Sequence, residues 1–188
     1  TYGWSGGGVS TLEKYAEKGL HGDFEFKKGE RSRFLGEYRE RVIKALTAEQ
    51  VEEPGVYPQI MEALRDPRAS KLIIRRDIDM DRARDYIKLA NERNVAFKRV
   101  DAPSLKGDIG LVVVSSRAVD EPDILIPQRE ERLKELGLSE ELIHAIGEKV
   151  CADCWNEIET LAPEELENYQ RISWIEGVLG TKCAACGE

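Results

Sequence analysis

KLIIRRDIDMDRARDYIKLANERNVAFKRV, residues 71–100, holds a complete strand–helix–strand unit. Lys71-Leu72-Ile73-Ile74-Arg75 is a short, β-branched apolar run and reads as a strand. Asp77 to Asp81 then supplies N-cap candidates. Over residues 81–94, Ala83, Tyr86, Ile87 and Ala90 recur at helical spacing, which predicts an amphipathic helix with those four inward. Asn94 is its expected stop, because Asn tolerates the left-handed conformation that ends helices. Val95 to Val100 is the next strand.

The pattern extends in both directions. Leu111-Val112-Val113-Val114 is an unbroken apolar run, which marks a central strand covered on both faces. Upstream, residues 33–46 are ambiguous. Phe34, Tyr38, Val42 and Leu46 recur every four residues, as in a helix, whereas Arg41 to Leu46 alternates and is β-branched in its middle. A strand at about 39–46 is favoured. Pro54-Gly55 is a break, and Pro58 opens a helix to about Arg65 that Pro67 closes. Downstream, 128–136 and 140–147 read as helices, with Gly137 between them and Ser139 as the second N-cap. The order is β-α-β-α-β-β, then two helices. Such alternation needs crossovers, hence an α/β (α+β) fold with a mixed sheet and helices on its face.

Composition fits this. The chain has 188 residues, 41% hydrophobic and 34% charged, with no apolar run of membrane-spanning length. Thr1 to Gly8 contains a glycine run that reads as a flexible start, native or vector-derived, so residues 1–9 are set aside. Ser10-Thr11-Leu12-Glu13 is a capping box opening a short helix that Gly19 or Gly22 ends, and 23–30 reads as loop. No charged and then apolar leader is visible, so a cytoplasmic protein is expected. The expected divisions are 10–127 as the α/β domain, 128–149 as a helical connector and 150–188 as a small metal module.

That module carries the firmest chemical signal. All four cysteines fall in two pairs, Cys151-x2-Cys154 and Cys183-x2-Cys186-Gly187. A two-residue gap lets both sulfurs of one turn face a single tetrahedral ion, and Gly187 suits a left-handed turn after the second pair. One structural Zn²⁺ is expected. Four thiolates leave no open coordination position, which argues against a catalytic metal. A redox or disulfide pair is the rival reading, but adjacent pairs make poor structural disulfides. Between the pairs, Pro163-Glu164-Glu165 is a helix start. Trp155, Ile158, Leu161, Leu166, Tyr169, Ile172, Trp174, Val178 and Leu179 can supply a small core, too small to fold without metal.

Charge is uneven. From Cys151 onward there are two basic and eight acidic residues, a balance of −6, within a total of −8. An acidic lobe on a nearly neutral body argues against wrapping nucleic acid over a large surface. Two stretches are locally basic, however. Residues 27–44 and 71–100 are each +4. With Tyr38, Tyr86 and Phe97 nearby, Arg31, Arg33, Arg39, Arg41, Arg75 and Arg76 are the candidates for an RNA-binding face. The simpler account is a solvated surface with internal pairs such as Arg84 with Asp81 or Asp85.

Asp77-x-Asp79-x-Asp81 follows a strand and precedes a helix, where a divalent ion or phosphoryl-transfer site could form. It resembles an Asp-x-Asp phosphatase start, but Arg75-Arg76 replaces the apolar strand end and Asp81 stands where Thr or Val is expected. Helix capping and dipole compensation explain it more simply. The two histidines, His21 and His144, stand in no ligand or triad pattern. No phosphate loop, nucleophile elbow or Cys-His arrangement appears.

Gly29-Glu30-Arg31-Ser32-Arg33-Phe34-Leu35-Gly36-Glu37-Tyr38-Arg39-Glu40-Arg41-Val42, followed by Ala45-Leu46-Thr47, resembles the YueI-like family of bacterial proteins. So do Tyr86 to Ala90, Gly110 to Val113 and Ala118-Val119-Asp120. The resemblance covers about residues 10–130. It implies a chorismate-mutase-like β-α-β-α-β-β fold, shared in outline with kink-turn RNA-binding ribosomal proteins, and carries no catalytic residue. Three functions follow as expectations. The first is a non-enzymatic binding module with structural zinc, engaging RNA or a ribosome-associated partner. The second is a protein–protein adaptor or regulatory oligomer using the acidic zinc lobe with Trp155 and Trp174. The third and weakest is a metal-dependent enzyme at Asp77, Asp79 and Asp81.

Overall fold

A computed structural model describes residues 29, 31, 33–101 and 107–187. The flexible start at 1–9, the helix expected from Ser10, His21 and most of the 23–30 loop lie outside them.

Ile73, Ile74 and their neighbours form β2 (Ala69–Arg75), followed by a helix, α3 (Met80–Glu92), and β3 (Ala96–Val100). Asp79 caps α3 through the Asp81 N–H. Asn94, at φ 56°, turns the chain out of it. β2 and β3 pair in parallel, as a helical crossover requires. The rest of the sheet comes from β1 (Val42–Thr47) and β4 (Ile109–Ser115), and the order is β1-β4-β2-β3. β4 runs antiparallel to both neighbours. The result is a mixed α/β architecture with a four-stranded sheet.

The expected doubly covered strand is β4, and each of its residues is buried. Leu111 and Val113 join Leu72, Ile74 and Leu46 on one face. That face is covered by α1 (Ala48–Glu52), α2 (Pro58–Arg65) and α3, through Val51, Ile60, Leu64, Tyr86 and Ala90. Ile109, Val112 and Val114 point the other way, against Phe34, Leu35 and Ile124. The strand placed at 39–46 starts later, at Val42, because Arg39–Arg41 form a 3-10 turn. Leu35 and Gly36, both at positive φ, reverse the chain before it.

Beyond the sheet the chain forms α4 (Arg129–Glu135), α5 (Glu140–His144), β5 (Lys149–Val150) and α6 (Ala152–Leu161). A 3-10 segment at Pro163–Asn168, β6 (Gln170–Arg171) and α7 (Trp174–Val178) complete it. One apolar cluster runs through this part, from Leu133, Leu138 and Leu142 to Val150, Ile158, Tyr169 and Cys183. The four-cysteine segment therefore shares its core with residues 133–146. Ile158 and Tyr169 are buried there as expected, but Trp174, Val178 and Leu179 are not; they stand in solvent.

The two halves meet through buried polar groups. Arg129 is only 2% exposed; its guanidinium lies 4.2 Å from the Tyr57 ring centroid and donates to the Pro54 carbonyl at 2.6 Å. Glu165, fully buried, is gripped by Arg132 and accepts from Asn168 Nδ2 at 2.7 Å. Burial pushes the Glu165 carboxyl up, against the pull of Arg129, Asn168 and Arg132. Asn168 also pairs with both backbone groups of Val56, at 2.7 and 2.8 Å, as a neighbouring strand would. Gly55 sits at φ +73° beneath it, where a Cβ would stand 2.6 Å from Asn168 Oδ1.

Three substitutions test this packing. Gly110 passes so close to Ala48 that a Cβ would stand 2.6 Å from the Ala48 Cα. Gly110→Ala is expected to cost about 2–3 kcal/mol in urea unfolding, because backbone cannot swing aside as a side chain does. Glu165→Ala is expected to cost about 3–5 kcal/mol, the price of a buried guanidinium left uncompensated. Glu167→Ala, which removes an exposed pair with Arg65, is expected to change stability by no more than about 0.5 kcal/mol.

Candidate metal centre

Local sequence builds the two halves of the cysteine cluster differently. Cys151 is the N-cap of α6 and Cys154 lies in its first turn, so both sulfurs sit at the positive end of a helix. Cys183 to Gly187 forms a tight turn. Gly187 takes φ 78°, as its position after the second pair suggests, and donates to the Cys183 carbonyl at 3.0 Å. The Ala184 N–H bonds the Lys149 carbonyl at 3.0 Å, which ties this turn to β5.

The four sulfurs lie within 4.8 Å of one another. Cys151 and Cys186 Sγ are 3.7 Å apart, as are Cys154 and Cys183 Sγ. No disulfide joins them. Four sulfurs arranged tetrahedrally about 2.3 Å from one ion would stand about 3.8 Å apart, so the spacing fits a metal. Burial opposes the Cys183 thiolate, but N–H donors from Cys186, Cys151 and Ala185 outweigh it and hold that thiol down at about 6. Burial and the three neighbouring sulfurs push the Cys154 thiol up. A divalent cation at the centre would neutralise the negative charge that this crowding resists. Among the described residues, this is the one group of three or more Cys, His, Asp or Glu side chains with ligand atoms so gathered.

Asp77, Asp79 and Asp81 do not converge. Asp77 is held bidentately by Arg75, at 2.8 and 2.5 Å, and that bond lowers its carboxyl. Asp79 is the α3 cap, and Asp81 pairs with Arg84 at 3.1 Å as expected. His144 is exposed at the end of α5. It lines an open cleft of about 700 Å³ between α3 and the C-terminal half, together with Arg82, Lys88, Glu148 and Glu167.

The candidate arginines divide between the two ends of the sheet. Arg75 ends β2 and Arg76 follows it, near Ile109, whereas Arg39 and Arg41 precede β1 at the Val114 end. Arg39 donates to the carbonyls of Glu121 and Pro122, at 2.6 and 3.0 Å. Arg31 and Arg41 stand 5.2 and 5.8 Å from the Tyr38 ring centroid. Arg33 packs near Gly107, whose carbonyl also faces Arg75 at 3.4 Å. Arg76 pairs with Asp101 at 3.3 Å. Sequence reasoning missed the Arg129, Glu165 and Asn168 cluster altogether. Nothing in Arg129-Glu130-Glu131-Arg132 distinguishes the buried charge from three ordinary surface ones.

A mixed α/β domain carrying a four-cysteine lobe is thus the class of protein that fold and site define. Residues 9–125 match the model of the family described as "Protein of unknown function (DUF1694)", and the chain belongs to that family. It is 31% identical over 115 residues to the uncharacterized protein YueI of Bacillus subtilis (strain 168), a match covering 61% of this chain and 87% of that protein. The crystal structure of the B. subtilis YueI protein aligns with a TM-score of 0.51 at 28% identity, covering 58% of this chain and 94% of the other. All four cysteines, and Arg129, Glu165 and Asn168, lie beyond the family match. Among the described residues no helix is long and apolar enough to cross a membrane.

If the cluster holds a metal that supports the lobe, Cys154→Ser with Cys183→Ser removes both. Elemental analysis should find one metal ion per chain in the parent and none in the variant. Hydrogen exchange should show residues 149–187 losing more than about 3 kcal/mol of protection, a fraction of the roughly 10–16 kcal/mol contributed by structural metal sites. Protection of β1 to β4 should persist.

Proposed function

We propose that this protein is a non-enzymatic binding module in which one structural Zn²⁺, held by Cys151, Cys154, Cys183 and Cys186, fixes an acidic lobe that docks on a protein partner. The observation that carries this reading is α7 and the residue after it. Trp174, Ile175, Val178 and Leu179 are 81%, 61%, 73% and 78% exposed. Contiguous large apolar side chains in solvent on a soluble fold mark interaction surfaces. α7 is not a frayed end. Ser173 and Glu176 form a capping box, Lys149 pairs with Glu176, and the Thr181 N–H bonds the Glu176 carbonyl at 2.9 Å. The chain is thus held so as to present these side chains.

Zinc is favoured because four thiolates select a soft ion in a closed tetrahedron, and zinc fills that role without redox chemistry. A reducing, cytoplasmic setting belongs to this reading, because the thiolates must stay unoxidised. The rival reading, RNA or ribosome association, rests on the expected chorismate-mutase-like and kink-turn-binder-like outline. Its support narrows to Arg31, Arg39 and Arg41 around Tyr38, since Arg75 and Arg76 lie at the other end of the sheet and pair with Asp77 and Asp101.

A photo-crosslinking residue at Val178, in the cells that make the protein, tests the choice. A discrete, nuclease-resistant protein adduct, lost on Trp174→Asp, is expected, together with one zinc ion per chain. A nuclease-sensitive adduct that survives Trp174→Asp and disappears on Arg31→Glu with Arg41→Glu would overturn the protein reading in favour of RNA. Iron at the cysteines would overturn the zinc assignment.

A further inference from the structure

The apolar helix and the free negative charge of the lobe flank the same sulfur cluster. Leu179 stands just before the turn that begins at Cys183, and Asp153 sits between the two ligands of the first pair. Asp153 and Glu157, one helical turn apart, are exposed on one side of α6; Lys182 beside the second cysteine turn is exposed too, whereas the nearby cation Lys149 is paired with Glu176. Four thiolates around one divalent cation add about two further negative charges at this spot. An apolar anchor is therefore set within an unbalanced negative field.

Resting on the reading above, we infer that the partner is a basic amphipathic segment, seating its apolar face on Trp174, Ile175, Val178 and Leu179 and its lysines or arginines against the carboxylates of α6. Two alternatives fit the same surface less well. The four exposed side chains amount to on the order of 500 Å². Two copies facing each other would bury about 1,000 Å², the lower bound for a specific dimer. That contact would also press together two sulfur clusters, each flanked by the unpaired carboxylates Asp153 and Glu157. An anionic lipid surface is repelled by the same charge. A cationic helix satisfies both parts of the surface: apolar anchors at helical spacing fill the patch, and flanking charge steers the approach.

Calorimetric titration of the full, metal-loaded chain is the test. The probes are a Leu/Lys peptide patterned as an amphipathic helix and its Leu/Glu counterpart. The variant is Trp174→Ala with Leu179→Ser; both positions are exposed, so folding and metal content should be unchanged. The Leu/Lys peptide should bind, more weakly as salt rises, and the variant should bind it roughly tenfold or more weakly. The Leu/Glu peptide should not bind. Binding that the variant leaves unaltered would mean charge alone, and equal binding of both peptides would mean apolar adhesion alone. Either result overturns the inference, as does absence of binding, or a dimer in sedimentation that the variant dissolves. Zinc and the Val178 adduct present without Leu/Lys binding would sink only the partner's chemistry; loss of the adduct as well would sink the protein-docking reading.

Discussion

A guanidinium buried between two apolar clusters sets the terms for the whole molecule. Arg129 cannot reach water, so the groups around it must answer its charge. Tyr57 offers a ring face, Pro54 a carbonyl and Glu165 a carboxylate whose nearer oxygen is 3.7 Å from Nε. Tyr57 and Pro54 belong to the family domain, and Glu165 to the added lobe. Neither half answers the arginine's charge alone, and its Nε and Nη2 have no hydrogen-bond partner among the described residues. Asn168 extends the junction by bonding Val56 as a strand would, and the Gly147 N–H returns a bond to the Asn168 carbonyl at 2.8 Å. Such a cluster costs more in desolvation than an apolar seam, but it is intolerant of misplacement and so fixes how the halves sit.

The lobe has its own constraint. Its core is modest, and its two strands are two residues each. The residues between the cysteine pairs are held at one end by the sulfur cluster and at the other by the Arg132–Glu165–Asn168 cluster. The sulfur cluster and the interlobe junction thus do for this lobe what a larger hydrophobic core does for the sheet domain. They also explain how the lobe can leave Trp174 and Leu179 in water: those side chains are not needed for its folding.

The sheet domain was largely legible because its signals are local. The β2–α3–β3 unit follows from an apolar run, a helical stripe and an Asn stop, and the burial of β4 follows from four consecutive apolar residues. Cysteine spacing identified the cluster for the same reason, since two short turns carry the geometry. The parts that were not legible are long-range. Arg129 and Glu165 look like solvent residues until another segment closes over them. Trp174, Val178 and Leu179 read as core in the sequence because apolar residues near a cysteine cluster ordinarily pack there, and only the three-dimensional arrangement shows that Leu133, Leu138 and Leu142 take that place instead. The strand at 39–46 is shorter because Arg39–Arg41 wind into a 3-10 turn, a backbone feature that alternation of side chains does not reveal.

The placement of the cysteines also bears on the order in which the chain acquires its shape during synthesis. The sheet has all its strands once Ser115 has left the ribosome, so it can close early. The lobe cannot, because its first pair of thiols waits for Cys183 and Cys186. During that interval the sheet domain displays Gly55, Val56 and Tyr57 without their partner, and two adjacent thiols stand open to any soft cation or oxidant. Formation of the Cys183–Gly187 turn ends the exposure of those thiols, whereas Asn168, made earlier, can cover Gly55 and Val56 before it, so the two exposures close in sequence order.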